Sequence, residues 1–414
     1  MRPTAGRWVS GDDFFDREPE LRVLESHVLN HNHLLLTGQR RMGKTSIARE
    51  LGRRLEADGW VFLFADVEGS TCAEDAIAAI AKETYSTRSI ASRFGRSVRE
   101  WFGENIEEVG FHGFRARIRA GLHAGNWRQL GEKLLQHCAD HDAPVLLVID
   151  ELPIFLKRML HDDGDAKRVD EFLSWLRGAI QALGDQGPVF IVSGSIGLQP
   201  LVHRLGIPDR INHFYPIRLH PWDRTRSVAC FKRLATAEGL QVEEGVADAV
   251  YDALGLGIPH HVQSFFARIR DFATLRGTRA VTVDDVRHVY RTGLLGPSGQ
   301  NDLIHYETRL KDGLDDETFS IAMEILAEAA TRNVFTPSAR RCLEDQYEAL
   351  VTDIRGRVAD AIEVLVHDGY IEDGEHGHRF PSRLLEDWFA ARFRDHHVPL
   401  ESRCSDVSAG VEDR

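Results

Sequence analysis

The sequence predicts an α/β fold, a parallel sheet flanked by helices, followed by a helical lid and a C-terminal winged-helix domain. Three observations carry that expectation. Apolar runs of strand length alternate with helical stretches through the first half of the 414 residues, the pattern of a parallel sheet with helical crossovers. The first run, ending at Thr37, breaks into the glycine-bounded loop Gly38-Gln-Arg-Arg-Met-Gly-Lys-Thr45 and continues as a helix. Beyond Asp223 the β signals stop, and they return only as two short strands around a Gly-rich turn within 369–380.

Composition bounds the rest. Hydrophobic residues make up 43% and charged residues 28%, as in soluble globular proteins. The net charge of −13 argues against a protein that coats nucleic acid by charge alone, while leaving room for a local basic patch. Cys72, Cys138, Cys230, Cys342 and Cys404 form no C-x-x-C pair, so neither a zinc site nor a disulfide framework is indicated and a reducing cytoplasm fits. No stretch approaches the roughly 20 apolar residues of a membrane helix, and residues 1–10 contain no apolar leader core, so the protein is read as cytoplasmic with no membrane partner.

In chain order, Phe14 to Leu29 reads as a helix with Leu21, Leu24, Val28 and Leu29 on one face, and Asp16-Arg17-Glu18 as its solvated start. The strand before Gly38 leads to a helix from Lys44 to about Ala57, a strand over Trp60–Ala65 and a helix over Ala73–Tyr85. Ser86–Gly110 is a polar excursion. Phe114–Arg119 alternates like an exposed strand whose three arginines form either a solvated face or a basic patch. Trp127–His137 and Arg168–Leu183 read as helices, and Pro144–Asp150 and Pro188–Ser195 as buried strands. Phe214–Leu219 supplies a fifth strand, placed at an edge by Pro216. Helices over Asp223–Glu238, Glu243–Leu254, Pro259–Leu275 and Thr282–Thr292 form the lid, with Pro259 as a first helical residue. Glycine-rich Gly293–Gln300 resembles a linker. Helices over Glu317–Thr331, Pro337–Ala349 and Ile354–His367, the two short strands and a helix over Ser382–Phe393 make the winged helix. The expected organisation is core 1–222, lid 223–292, linker 293–317, winged helix 318–397 and a frayed polar tail 398–414.

Two motifs carry chemistry. G-x-x-x-x-G-K-[ST] arises by chance in about 1–2% of chains this long, and here it sits between a buried strand and a helix. It predicts a phosphate-binding loop formed by Gly38, Gln39, Arg40, Arg41, Met42, Gly43, Lys44, Thr45 and Ser46. Its backbone N–H groups turn inward, Lys44 reaches the β and γ phosphates of ATP, and the Thr45 hydroxyl ligates Mg²⁺. The positive end of the following helix adds to the site. The second motif is the apolar strand ending in Asp150-Glu151. Ligands gather at such strand ends, and the pair predicts Asp150 on Mg²⁺ or its water and Glu151 polarising the water that attacks the γ phosphate. At the end of the next strand, a hydroxyl from Ser193 or Ser195 either senses the γ phosphate or satisfies a turn.

Together these residues resemble the archaeal-type ATPase family, a branch of the P-loop NTPases close to the STAND switch ATPases and the origin-recognition AAA+ proteins. The resemblance rests on Phe15-Asp-Arg-Glu-Pro-Glu-Leu21, Gly38–Thr45, Leu146-Leu-Val-Ile-Asp-Glu-Leu152, Val192-Ser-Gly-Ser195, Leu219-His-Pro-Trp222, Gly257-Ile-Pro259 and His378-Arg-Phe-Pro-Ser-Arg-Leu-Leu-Glu-Asp-Trp388. It implies that Gly257 and Pro259 abut the nucleotide. It also implies that an arginine after the fourth strand, best matched by Arg210 with Arg204 nearby, completes a neighbouring subunit's site. Origin-recognition relatives place an arginine early in a lid helix where this chain has His260-His261, which favours a switch over AAA+-style remodelling.

The expected function is therefore an ATP-binding, slowly hydrolysing switch ATPase. Nucleotide state controls lid and winged-helix packing and contact with a protein partner or a second copy. The alternatives are a DNA-binding AAA+ ATPase and a nucleotide-binding scaffold without turnover. The candidate recognition helix sets Arg355 and Arg357 against Asp360, Glu363 and Asp368, a poor balance for phosphate contacts, and Glu151 argues against the scaffold.

Overall fold

The computed structural model describes all residues except 3–5, 87–121, 123–124, 164–165, 195–196 and 410–414. The excursion expected after Ser86, the strand expected over Phe114–Arg119 and Ser195 lie outside the described residues. The chain divides into two compact units, one comprising Trp8–Gly38 and Gly43–Leu219, the other Met1–Arg7, Gln39–Met42 and His220–Arg414.

The first unit follows the alternation. It runs α1 (Glu18–Leu29), β1 (Leu34–Thr37), α2 (Lys44–Ala57), β2 (Val61–Asp66), α3 (Ala73–Ser86), α4 (Trp127–Ala139), β3 (Val145–Asp150), α5 (Leu152–Asp163), α6 (Ala166–Leu183), β4 (Val189–Ser193), α7 (Leu198–Arg204) and β5 (Tyr215–Arg218). Among the described residues the strands form one five-stranded sheet in the order β2-β3-β4-β1-β5, every pair parallel. β1 is set between partners distant in sequence, Leu34 lying opposite Ile191 of β4 and Tyr215 of β5. All residues of β1, β3 and β4 are buried, which is why these strands read as continuous apolar runs rather than alternating ones. β5 is the exposed edge that tolerates Pro216. Against one face pack Phe155, Phe172, Trp127 and Trp175, with Phe155 and Phe172 edge to face at 5.0 Å and Trp127 and Trp175 at 5.3 Å. Each large side chain buried this way contributes about 1.5–3 kcal/mol.

The start of α1 departs from expectation. Arg17 is 4% exposed and pairs with Glu20 at 2.8 Å, while Asp16 and Arg17 both take left-handed backbone angles, φ 59° and 74°. Only Glu18 is solvated, and it reaches Arg54 of α2. The fold uses this stretch as a turn that packs inward, a conformation that residue type alone does not announce.

The second unit contains α8 (Arg224–Glu238), β6 (Gln241–Val242), α9 (Val246–Leu254), α10 (Pro259–Leu275), β7 (Ala280–Val281) and α11 (Val283–Val289), which runs on into a π turn at Tyr290–Leu294. Side-chain caps set where helices begin: the Asp223 carboxylate accepts from the Arg226 N–H, and Thr282 and Asp285 form a reciprocal capping box, each cap contributing on the order of 1 kcal/mol. The parallel pair β6–β7, two residues a strand, is too short to leave a periodic signal in the sequence. Phe231 of α8 and Phe266 of α10, both fully buried, meet edge to face at 5.4 Å.

The stretch read as a linker is helical instead. Gly296 precedes α12 (Pro297–Gly313), with proline at its first position, so the glycines and proline mark a helix start rather than a flexible tether. Then come α13 (Asp316–Arg332), α14 (Pro337–Tyr347), α15 (Ile354–His367), the antiparallel hairpin β8 (Glu372–Gly374) and β9 (Gly377–Arg379), and α16 (Arg383–Phe393). The expected frayed tail forms α17 (Leu400–Ala409), with Leu400 fully buried. Glu328 of α13 holds it: Oε2 accepts from the Leu400 N–H at 3.1 Å and lies 2.6 Å from His397 Nε2. One apolar residue and one buried carboxylate outweigh the polar composition of that segment.

Candidate functional site

The loop after β1 has the backbone that an anion cradle requires. Gly38 has φ 144° and Gly43, at the N-cap of α2, φ 87°. A Cβ on Gly38 would sit 2.8 Å from the Leu219 carbonyl oxygen, so neither conformation nor space admits another residue there. Between them Arg41 takes φ 68°. The turn delivers the chain into α2, whose first residues, Lys44, Thr45 and Ser46, carry the side chains with chemistry.

Lys44 is 6% exposed, and its Nζ donates to the Gly38 carbonyl at 2.7 Å, tying the amine to the head of the loop. The Thr45 hydroxyl donates to Asp150 Oδ2 at 2.7 Å, while Asp150 Oδ1 accepts from the Ser193 hydroxyl and, at 3.2 Å, from the Glu151 N–H. Asp150 is 4% exposed and Ser193 is fully buried. The ends of the neighbouring strands β3 and β4 and the first turn of α2 thus converge on one carboxylate. Ser46 is used structurally, its hydroxyl accepting from the Val9 N–H at 3.1 Å.

Glu151 follows in a left-handed conformation, φ 58°, rare for a long side chain and strained. It heads α5, its carbonyl accepting from the Ile154 and Phe155 N–H groups at 3.2 and 3.3 Å. Arg210 is held within its own unit, bonded to Asp170 at 2.6 Å and to Asp209 at 2.5 Å. Gly257 and Pro259 belong to the second unit. The Gly257 carbonyl accepts from the Trp222 N–H at 2.8 Å, and buried Pro259 is the first residue of α10. Of the loop tip, Gln39, Arg40, Arg41 and Met42 cluster with that second unit.

Two residues beside the site escape the motif reading. Asp66, the last residue of β2, is the register partner of Asp150. Burial pushes its carboxyl above the usual range, the Glu68 N–H opposing and the Asp150 charge adding to the shift. Arg49, on α2, lies 3.8 Å from the centre of the Phe64 ring and 4.3 Å from that of Trp8. The signal for Asp66 is present in the sequence: like Asp150, it is an acid closing an apolar strand.

The donors present suit a hard cation that arrives with phosphates. Thr45 and Asp150 offer two adjacent oxygens, and among the described residues no group of three or more His, Cys, Asp or Glu side chains could hold a metal without help. That is how Mg²⁺ is ordinarily shared between a protein and a nucleotide. No described helix is long and apolar enough to cross a membrane.

Comparison with known proteins agrees with this geometry. Residues 28–202 match the family model described as an AAA domain. The chain is similar in structure to a Walker-type ATPase of Pyrococcus abyssi, with 17% identity, a TM-score of 0.60 and coverage of 94% of this chain and 99% of that one. It is also similar to the ORC2 protein of Aeropyrum pernix, solved as ADPNP–ADP complexes, with 12% identity, a TM-score of 0.57 and coverage of 93% and 98%. No curated protein matches. Residues 28–202 therefore match an AAA domain, and the chain has the P-loop NTPase fold of these structural neighbours.

Proposed function

We propose that this protein is a cytoplasmic molecular switch that binds ATP with Mg²⁺ and hydrolyses it slowly, its nucleotide state controlling how the lid (223–292) and a winged helix (318–397) pack and which protein partner or second copy they meet. The observation that carries the reading is the hydrogen-bonded chain Thr45–Asp150–Ser193 at the head of α2, next to buried Lys44. In this reading the loop N–H groups and Lys44 bind the β and γ phosphates. Mg²⁺, when bound, neutralises phosphate charge as a Lewis acid. Asp150 and Ser193 hold Thr45 in place. Glu151 orients the water whose oxygen bonds to the γ phosphorus as the bond to the β–γ bridging oxygen breaks, giving ADP and phosphate. Ser193 is committed to Asp150, which makes it a support for the cation site rather than a direct phosphate sensor.

The family match and the ORC2 likeness support nucleotide binding. One observation weighs against the DNA-binding alternative: Arg357 of α15 is engaged by Asp315 at 2.7 Å and Glu317 at 2.9 Å, leaving the candidate recognition helix with Arg355 against Asp360, Glu363 and Asp368. Calorimetry with ATP and Mg²⁺ tests the binding step. Lys44→Ala should abolish the heat signal, and undiminished affinity would overturn the site. Glu151→Gln should bind ATP yet release no phosphate; release at the wild-type rate would show that Glu151 takes no part in hydrolysis.

A further inference from the structure

The loop tip Gln39–Met42 belongs to the same compact unit as the C-terminal half of the chain, and within that unit its first side chain has a definite destination. Gln39 Nε2 donates to the Gly369 carbonyl at 3.1 Å. Gly369 lies in the turn between α15 and β8 with φ 76°, and a Cβ there would overlap the Gln39 amide. The turn therefore needs glycine twice over, for its backbone angle and for the close approach of a loop 330 residues earlier. Behind it stands a buried relay. Tyr370 Oη donates to the Tyr306 carbonyl at 2.7 Å, the two rings meet edge to face at 5.6 Å, and Tyr306 Oη lies 3.2 Å from His261 Nε2 on α10. All three side chains are 3–4% exposed. Neighbouring His260 is held neutral, its pKa lowered to about 3 by burial and by the charges of Arg41, Arg40 and Arg268. The tip is thus seated among lid-helix and hairpin residues rather than in solvent.

We propose that Gln39 is a positioning residue: by donating to the Gly369 carbonyl it ties the tip of the phosphate-binding loop to the α15–β8 turn, so that loop and hairpin respond to nucleotide together. This inference rests on the nucleotide-switch reading and names the contact that transmits it. The loop binds phosphate through its backbone N–H groups, which leaves the Gln39 side chain for a second task. Phosphate binding restricts the few loop dihedrals between Gly38 and Gly43, and the restriction passes through the amide to the turn. A nucleotide shifts such an equilibrium only by binding the pinned and unpinned loops unequally.

The test is amide hydrogen exchange on the full chain, with and without saturating ADPNP and Mg²⁺, in wild type, Gln39→Glu and Gly369→Ala. Gln39→Glu keeps the shape of the side chain and removes the donor. In wild type, nucleotide should slow exchange across 366–372 by about fivefold, the factor one ordinary hydrogen bond carries. Both variants should lose that slowing while the core of α13, Ile321–Ala330, keeps its wild-type protection and so reports a folded domain. Undiminished slowing in Gln39→Glu overturns the inference. Where that variant cannot be saturated, Gly369→Ala decides, retained slowing refuting and lost slowing supporting the tie. A wild-type protein that binds ADPNP with no change at 366–372 defeats this inference alone; one that binds no nucleotide defeats the switch reading itself.

Discussion

Ser193→Ala isolates what the convergence of β3 and β4 on Asp150 contributes. The Ser193 hydroxyl, fully buried, donates to Asp150, which also accepts from Thr45 Oγ1 at 2.7 Å and from the Glu151 N–H at 3.2 Å. At 4% exposure the Asp150 carboxylate has little water to replace the lost donor. A hydrogen bond to a charged group contributes about 1.5–3 kcal/mol, and an acceptor left short in a buried site costs a similar amount. The substitution removes one oxygen and no carbon, so the cavity it leaves adds little. The expected loss is therefore about 2 kcal/mol in the stability of the sheet-containing unit. Urea denaturation read by the fluorescence of Trp127 and Trp175, which pack in that unit's core, measures it. Adding Asp150→Asn completes a double-mutant cycle, in which the coupling should exceed about 1 kcal/mol because the two groups share one bond. A Ser193→Ala loss within about 0.5 kcal/mol, the range of an ordinary surface change, would refute the claim that Ser193 supports the carboxylate.

Three further outcomes are expected. Burial alone would raise the Glu50 carboxyl, but hydrogen bonds from Arg53, the Gly11 N–H and Arg54 outweigh it and hold the group down to about 2. Its contribution is fully present above the unfolded value near 4.5 and lost as pH falls towards 2, so Glu50→Gln should shrink the gap in thermal midpoint between pH 6 and pH 3; an unchanged gap refutes it. Gly52 faces the Phe62 ring so closely that a Cβ would overlap it, and Gly52→Ala should destabilise by about 1–3 kcal/mol through overpacking, with part recovered in Gly52→Ala/Phe62→Ala, as chemical denaturation would show. Glu328→Ala removes the carboxylate that Leu400 and His397 share, and limited proteolysis should then cut within 398–409 well before the rest of the chain; cleavage there at the wild-type rate would mean that α17 is held by other contacts.

The sheet was legible because its strands β1, β3 and β4 are buried on both faces. Val145–Ile149 and Leu34–Leu36 are unbroken apolar runs, and only a parallel sheet between helices asks for that. Lys44, Thr45 and Asp150 were legible because their spacing and strand ends encode where they lie. The helices α7, α12 and α17 were missed because each is short or polar, and long-range anchors such as Glu328 on Leu400 decide the last. Helix α5 was missed although it is apolar, because Leu152, Ile154, Phe155 and Leu156 follow the acidic end of β3 directly with no separating turn signal. The role of Gln39 was hidden because its partner is a backbone carbonyl, which no side-chain pattern marks. Arg17 was misread because its burial depends on two left-handed residues whose identities, Asp and Arg, do not demand that conformation.

The position of β1 has a consequence for biosynthesis. Its neighbours are β4 and β5, and the His33 ring accepts from the Phe190 N–H across 157 residues. Strands joined over such separations pair late, since closing the intervening chain precedes any gain from contact. A ribosome that has released residues up to Asp150 has therefore exposed the whole phosphate loop and its acidic partner without the two strands that fix the loop's base. Truncated chains ending before Val189 should neither retain nucleotide nor resist protease, and both properties should arise together once Arg218 has cleared the exit tunnel.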